Sequence, residues 1–182
     1  MRGADVFPGQ GSQAVGMGKD LHDTFSEAKE VFQEVDEALQ QSLSKLMFEG
    51  PEDTLTLTEN AQPALMAVSL AATRVLESQS SVSIRTTARY VAGHSLGEYS
   101  ALAAAGSLSI VDTAKLLKIR GKAMQEAVPV GEGAMAALIG LDLDVAQEVA
   151  SEAARDGQVW ACLLYTSDAA DDSLRVDVGG PR

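Results

Sequence analysis

Apolar residues in this chain alternate between short runs of strand length and longer stretches where they recur every three to four positions. That alternation predicts an α/β fold. Residues 4–7 form a short strand broken by Pro8, and the Gly-rich turn Gly9-Gln10-Gly11-Ser12-Gln13 follows. Helical segments continue through Leu39, the clearest over 27–39 with Ser26 as its cap. From 62 to 76, Leu65, Val68, Ala72, Val75 and Leu76 keep helical spacing, and Pro63 is expected in the first turn, where its missing N–H costs nothing. A Ser-rich loop leads to a strand over 89–92, a sharp turn over 93–97, and an Ala-rich helix over 98–105 that Gly106 ends. A further helix is expected from an Asp112 cap to Val128, stopped by Pro129 and Gly131. Beyond Gly133 a strand over 134–141, a helix over 144–155 and the start of another strand read as the opening of a second small βαβ unit.

Composition narrows the function classes. The 182 residues are 46% hydrophobic and 22% charged, a globular composition with the length of about one domain. A formal net charge of -12 repels phosphate backbones and anionic membrane surfaces, which argues against nucleic-acid and membrane partners. The single cysteine, Cys162, has no partner for an internal disulfide, and no Cys/His cluster has metal-ligand spacing. No targeting presequence is visible and no apolar run approaches the length of a membrane span, so a cytoplasmic location is expected.

The chemistry centres on Gly93-His94-Ser95-Leu96-Gly97. Gly-X-Ser-X-Gly between a predicted strand and a predicted helix is a nucleophile elbow, whose glycines leave room for a strained turn that lifts the serine hydroxyl clear of the sheet. The helix behind Ser95 offers unpaired N–H groups and positive dipole charge to an oxyanion, with Leu96 N–H as the expected donor. Gln10 sits in a Gly-bracketed loop after a strand end, where backbone N–H groups could converge on an anion, although an ordinary turn has the same composition. Arg120 falls at the centre of a helical arc formed by Leu116, Leu117, Ile119, Ala123, Met124, Ala127 and Val128, opposite Lys115, Lys118, Lys122, Gln125 and Glu126. A guanidinium there requires a planar anionic partner, either an internal carboxylate or a substrate carboxylate. His94 adjoins the serine but a side chain beside an elbow nucleophile points away from it, and His22 reads as a solvated residue of a polar helix. The lysine row Lys115, Lys118 and Lys122 reads as a solvated face, or as a docking patch for an acidic partner.

Residues 93–101, Gly-His-Ser-Leu-Gly-Glu-Tyr-Ser-Ala, resemble the active-site stretch of malonyl-CoA:acyl carrier protein transacylases and related polyketide acyltransferase domains. Phe7-Pro8-Gly9-Gln10-Gly11-Ser12-Gln13, Gln62-Pro63-Ala64-Leu65 and Arg120-Gly121-Lys122-Ala123-Met124-Gln125 are similar to three further family stretches, in the family's order. The resemblance implies an α/β-hydrolase-like large subdomain with a parallel sheet, its N-terminal part over 1–130, and the start of a small ferredoxin-like subdomain over 131–160. It implies Ser95 as nucleophile, Gln10 and Leu96 as the oxyanion hole, and Arg120 as the ligand of the malonyl carboxylate. Malonyl-CoA is then the substrate and acyl carrier protein the acceptor, with no metal, no organic cofactor and a monomeric whole enzyme. The family's general base is a histidine well downstream, whereas no histidine follows His94 here. Residues 161–182 depart from the family pattern and resemble translated adapter sequence. The expectation is therefore a truncated chain with a foreign tail, disordered and impaired in activity. A polyketide synthase acyltransferase domain, a GxSxG esterase or thioesterase, and a non-catalytic carrier-binding fragment are the alternatives. A charged Arg120 on the apolar arc argues against a neutral ester substrate.

Overall fold

The computed structural model describes residues 3–80, 82–127, 142–153 and 176–177. Strand β1 (Gly3–Phe7) pairs in parallel with β2 (Ala88–Gly93), placing Val6 opposite Ala92 and Phe7 opposite Gly93. Parallel pairing brings the C-terminal ends of both strands to one edge of the sheet, so the loop after Phe7 and the turn after Gly93 leave it together. Such carboxyl ends are where open α/β sheets place their ligands. A two-residue strand β3 (Val176–Asp177) pairs antiparallel with Tyr90 and Val91 on the other side of β2. The sheet is thus parallel in its main pair only, and its third strand falls in the segment expected to be a foreign, disordered tail.

Helices α1 (Lys19–Thr24), α2 (Ser26–Leu39), α3 (Leu43–Glu49) and α4 (Glu52–Thr56) lead into the longest, α5 (Thr58–Gln79). A one-turn helix α6 (Ile84–Thr87) precedes β2, and α7 (Gly97–Ala104), α8 (Ile110–Ala127) and α9 (Leu143–Ala153) follow. Helix α5 is the hub. Every residue from Asn60 to Ala67 is buried, so this stretch is enclosed on all sides. It packs against α2, α7 and α8 around Phe32, Leu43, Met47, Leu55, Met66 and Leu117, all with at most 1% of their surface exposed. Each such side chain contributes about 1.5–3 kcal/mol of apolar burial. A smaller cluster of Phe7, Ile84, Ala88, Val91 and Ala101 joins the sheet to α7.

Strands β1 and β2 and helices α2, α5, α7, α8 and α9 match elements the hydrophobic pattern predicts, whereas α3, α4 and the one-turn α6 are not among them, and several ends differ. Phe25, not Ser26, is the N-cap of α2, and Ser26 turns its hydroxyl to Glu27. Helix α5 begins four residues earlier than the periodicity suggests, so Pro63 lies inside it rather than in the first turn. Helix α8 is capped by Ser109: its Oγ accepts from Asp112 N–H at 3.0 Å and donates to the Asp112 carboxylate at 2.7 Å, which makes Asp112 the third helical residue. The strand expected over 134–141 lies outside the described residues, while α9 corresponds to the helix expected there. No described helix is long and apolar enough to cross a membrane.

Close approach of α8 to α5 depends on one residue. A Cβ on Gly121 would stand 2.6 Å from Glu59 Cα and 2.7 Å from the Thr58 carbonyl oxygen, both backbone atoms that cannot swing aside. Gly121→Ala is therefore expected to push the helices apart and cost about 1–3 kcal/mol, measurable as a lowered urea midpoint. An unchanged midpoint would show that the helices can separate freely.

Candidate active site

Ser95 occupies the left-handed region at φ 55, a conformation that non-glycine residues adopt only when their surroundings impose it. Those surroundings are the two elbow glycines. A Cβ on Gly93 would lie 1.9 Å from the Gly97 carbonyl carbon, and one on Gly97 would lie 2.4 Å from the Phe7 carbonyl oxygen. Strand β2, the turn and α7 are thereby pressed together and against the end of β1. The His94 N–H donates to the Phe7 carbonyl at 3.1 Å, and a Cβ on Gly9 would strike His94 Nδ1. The Gly-rich loop is thus seated on the elbow, with Gln10 beside it. Gln10 Nε2 reaches Thr58 Oγ1 at 3.5 Å, the limit of a hydrogen bond.

Leu96 is buried, and its N–H, at the mouth of α7, donates to no acceptor among the described residues. Glycine and glutamate N–H groups just behind it are already used: Gly97 donates to His94 and Glu98 to Ser95. The Leu96 N–H is therefore a directed donor beside the serine.

Arg120 crosses from α8 to the elbow. Its Nη2 donates to Ser95 Oγ at 2.9 Å and its Nη1 to Gln62 Oε1 at 2.7 Å, while the guanidinium carbon stands 5.9 Å from the centre of the Tyr99 ring. No carboxylate pairs with it among the described residues, where its partners are the Ser95 hydroxyl, the Gln62 amide and the Tyr99 ring. Because a guanidinium only donates, Ser95 Oγ is the acceptor in this bond. A half-buried cation thus touches the hydroxyl, with no carboxylate paired to it among the described residues.

Other sequence expectations fare differently. The buried face of α8 is Ile110, Thr113, Ala114, Leu117 and Gly121, whereas Leu116 and Ile119 are exposed, so the arc that centred on Arg120 is not the core face. Arg120 and Met124 lie at its margin. Lys118 leaves the solvated row: it donates to Asn60 Oδ1 at 2.9 Å and Gln41 Oε1 at 3.0 Å and pairs with Glu59 at 3.2 Å. His22 is not a solvated residue either. It packs between Phe32 and Phe48, with ring centroids 6.0 and 5.1 Å away, and its Nδ1 meets Asp23. His94 is exposed and lies over Gly9. Among the described residues no cluster of His, Cys, Asp or Glu could hold a metal ion.

A strand–elbow–helix serine touched by an arginine from a neighbouring helix is an acyl-transfer constellation, and the acyl transferase domain model matches residues 6–166. The chain belongs to the acyl transferase domain family. Malonyl CoA-acyl carrier protein transacylase of Bacillus subtilis strain 168 is 50% identical over 156 residues, covering 86% of this chain and 48% of that protein. Its counterpart from Escherichia coli K12 is 47% identical over 164 residues, covering 90% and 52%. Acyl-carrier-protein-S-malonyltransferase from Bartonella henselae superposes with a TM-score of 0.79 at 59% identity, covering 85% of this chain and 49% of the other. A type II PKS acyl-carrier protein in complex with its malonyl-transacylase provides a further match, with a TM-score of 0.77 at 42% identity over 86% and 49% of the two chains. This acyl transferase chain therefore spans about half the length of the relatives it matches. Gln62, Tyr99 and Met124 join Arg120 at the site only through the fold. A polar Gln62 directly before Pro63 in a run of otherwise small and apolar residues was the available signal for a buried, partnered amide.

Proposed function

We propose that this chain carries the nucleophile-bearing part of a malonyl-CoA:acyl carrier protein transacylase. The contact from Arg120 to Ser95 Oγ carries this reading. In a malonyl ester of Ser95 the free carboxylate lies three covalent bonds beyond Oγ, within reach of a guanidinium that already touches that oxygen. Ser95 attacks the thioester carbonyl, CoA thiolate leaves with the serine proton, and an ester remains. The carbonyl oxygen turns its developing charge to Leu96 N–H and to the Gln10 loop. A second thiol, the phosphopantetheine arm of acyl carrier protein, then takes the acyl group. No step calls on a metal or an organic cofactor. The base is the downstream histidine that the resemblance implies, since His22 and His94 are the chain's two histidines and both are committed elsewhere. Exposed Lys115 and Lys122 are the groups of the lysine row still open to an acidic carrier. The reaction is placed in the cytoplasm, with the whole enzyme acting as a monomer.

Incubation of the purified chain with malonyl-CoA, in buffer containing imidazole as an external base, tests this. The expected result is a malonyl adduct mapped to Ser95 by tandem mass spectrometry, forming faster as imidazole rises and discharged by carrier protein. A folded chain that forms no Ser95 adduct at any imidazole concentration overturns the assignment.

A further inference from the structure

Gln62 is 1% exposed, and both ends of its side-chain amide are used. Its Oε1 accepts from Arg120 Nη1 at 2.7 Å and its Nε2 faces Met124 Sδ at 3.3 Å. The orientation is forced by chemistry: a guanidinium can only donate, so the carbonyl must face it, and a thioether can only accept, so the NH2 must face the sulfur. Gln62 therefore ties together two side chains on successive turns of α8. It does so from α5, whose Thr58 contacts Gln10 and whose Glu59 holds Lys118.

The neutrality of this partner matters as much as its position. A glutamate has the same shape and would hold the guanidinium at least as firmly, but it would also cancel its charge inside a partly desolvated site. A glutamine fixes Arg120 while leaving that charge for an incoming anion. We infer that Gln62 is a positioning residue that sets acyl selectivity, by orienting Arg120 without neutralising it and by holding Met124 one turn further along α8. This inference rests on the proposed malonyl transfer and assigns the selectivity of that site to a residue that touches neither Ser95 nor the acyl group.

The test compares acylation of Ser95 by malonyl-CoA and by acetyl-CoA, in the imidazole-supplemented chain, for wild type, Gln62→Glu and Gln62→Met. In Gln62→Glu the ratio of malonyl to acetyl rates is expected to fall on the order of 100-fold, the scale of losing one desolvated charge partner. In Gln62→Met, which keeps length but not the hydrogen bonds, the ratio is expected to fall about tenfold, because Arg120 is no longer aimed. A residue that merely filled space would lower both rates together and leave the ratio alone. Circular dichroism checks that each variant is folded, and Gln62→Met supplies the answer if Gln62→Glu is not. An unchanged ratio in a folded variant, with wild type acylated normally, overturns the inference alone. Absence of acylation in wild type overturns the underlying reading with it.

Discussion

Truncation of Arg120 to alanine is expected to slow malonyl acylation of Ser95 roughly 100- to 1,000-fold, the rate equivalent of removing one partner of a buried charge pair. Acetyl acylation, which presents no carboxylate, is expected to change within about tenfold. The asymmetry follows from geometry: Arg120 is the cation in contact with Ser95 Oγ, and no protein carboxylate competes for it among the described residues. Arg120→Lys keeps the charge but loses the fork that spans Gln62 and Ser95, so it should fall between wild type and alanine. Truncation also leaves the Gln62 carbonyl unpaired in a buried setting, at a cost to stability of about 1–3 kcal/mol. The thermal midpoint must therefore be read beside the rates. Equal losses for malonyl and acetyl, at intact stability, would show that Arg120 supports the elbow and does not select the acyl group.

What the sequence made legible was the part of the site built from local backbone geometry. A strand, two glycines, a serine and a helix are contiguous in the chain, and the turn they form depends on little beyond their own sterics. Ser95 at positive φ and the loop of Gln10 beside the elbow are both found where the motifs put them. The parallel pairing of β1 with β2 follows from the intervening helices, which return the chain to the same end of the sheet.

Features that depend on how α5 meets α8 were hidden. A helical wheel locates apolar residues but not which neighbour covers them, so Ile119, at 65% exposed, shares an apolar arc with Leu117, at 0%. Close approach at Gly121 turns the face of α8 that includes Lys118 toward Glu59 and Asn60, converting a presumed surface lysine into a bridge between helices. The start of α5 is not legible from periodicity because an enclosed helix has no amphipathic stripe there: Thr58-Glu59-Asn60-Ala61 shows polar residues where buried partners satisfy them. Gln62 was missed for the same reason. Its meaning lies in Arg120 and Met124, about 60 positions away in the chain.

Replacement of Gly93 by alanine is expected to destabilise the fold by more than about 3 kcal/mol and to abolish acylation of Ser95, although one methyl group is all that is added. The added carbon would lie 1.9 Å from Gly97 C, 2.0 Å from Gly97 O and 2.3 Å from Glu98 N. All three are backbone atoms at the start of α7, so no rotamer change relieves the clash. Relief requires α7 to withdraw from β2. That movement would carry Leu96 N–H away from the serine and break the contacts that press Gly97 onto the carbonyls of Phe7 and Pro8. It would also open the smaller core, where Ala101 of α7 meets Val91 and Phe7. Gly3→Ala is the matched control, because a Cβ there meets nothing within 4 Å and the same substitution should cost under about 0.5 kcal/mol. Denaturant midpoints of the two variants read the difference directly. A Gly93→Ala chain with the midpoint of Gly3→Ala would mean that the elbow tolerates a wider turn. The positive φ of Ser95 would then not depend on the packing of β2 against α7.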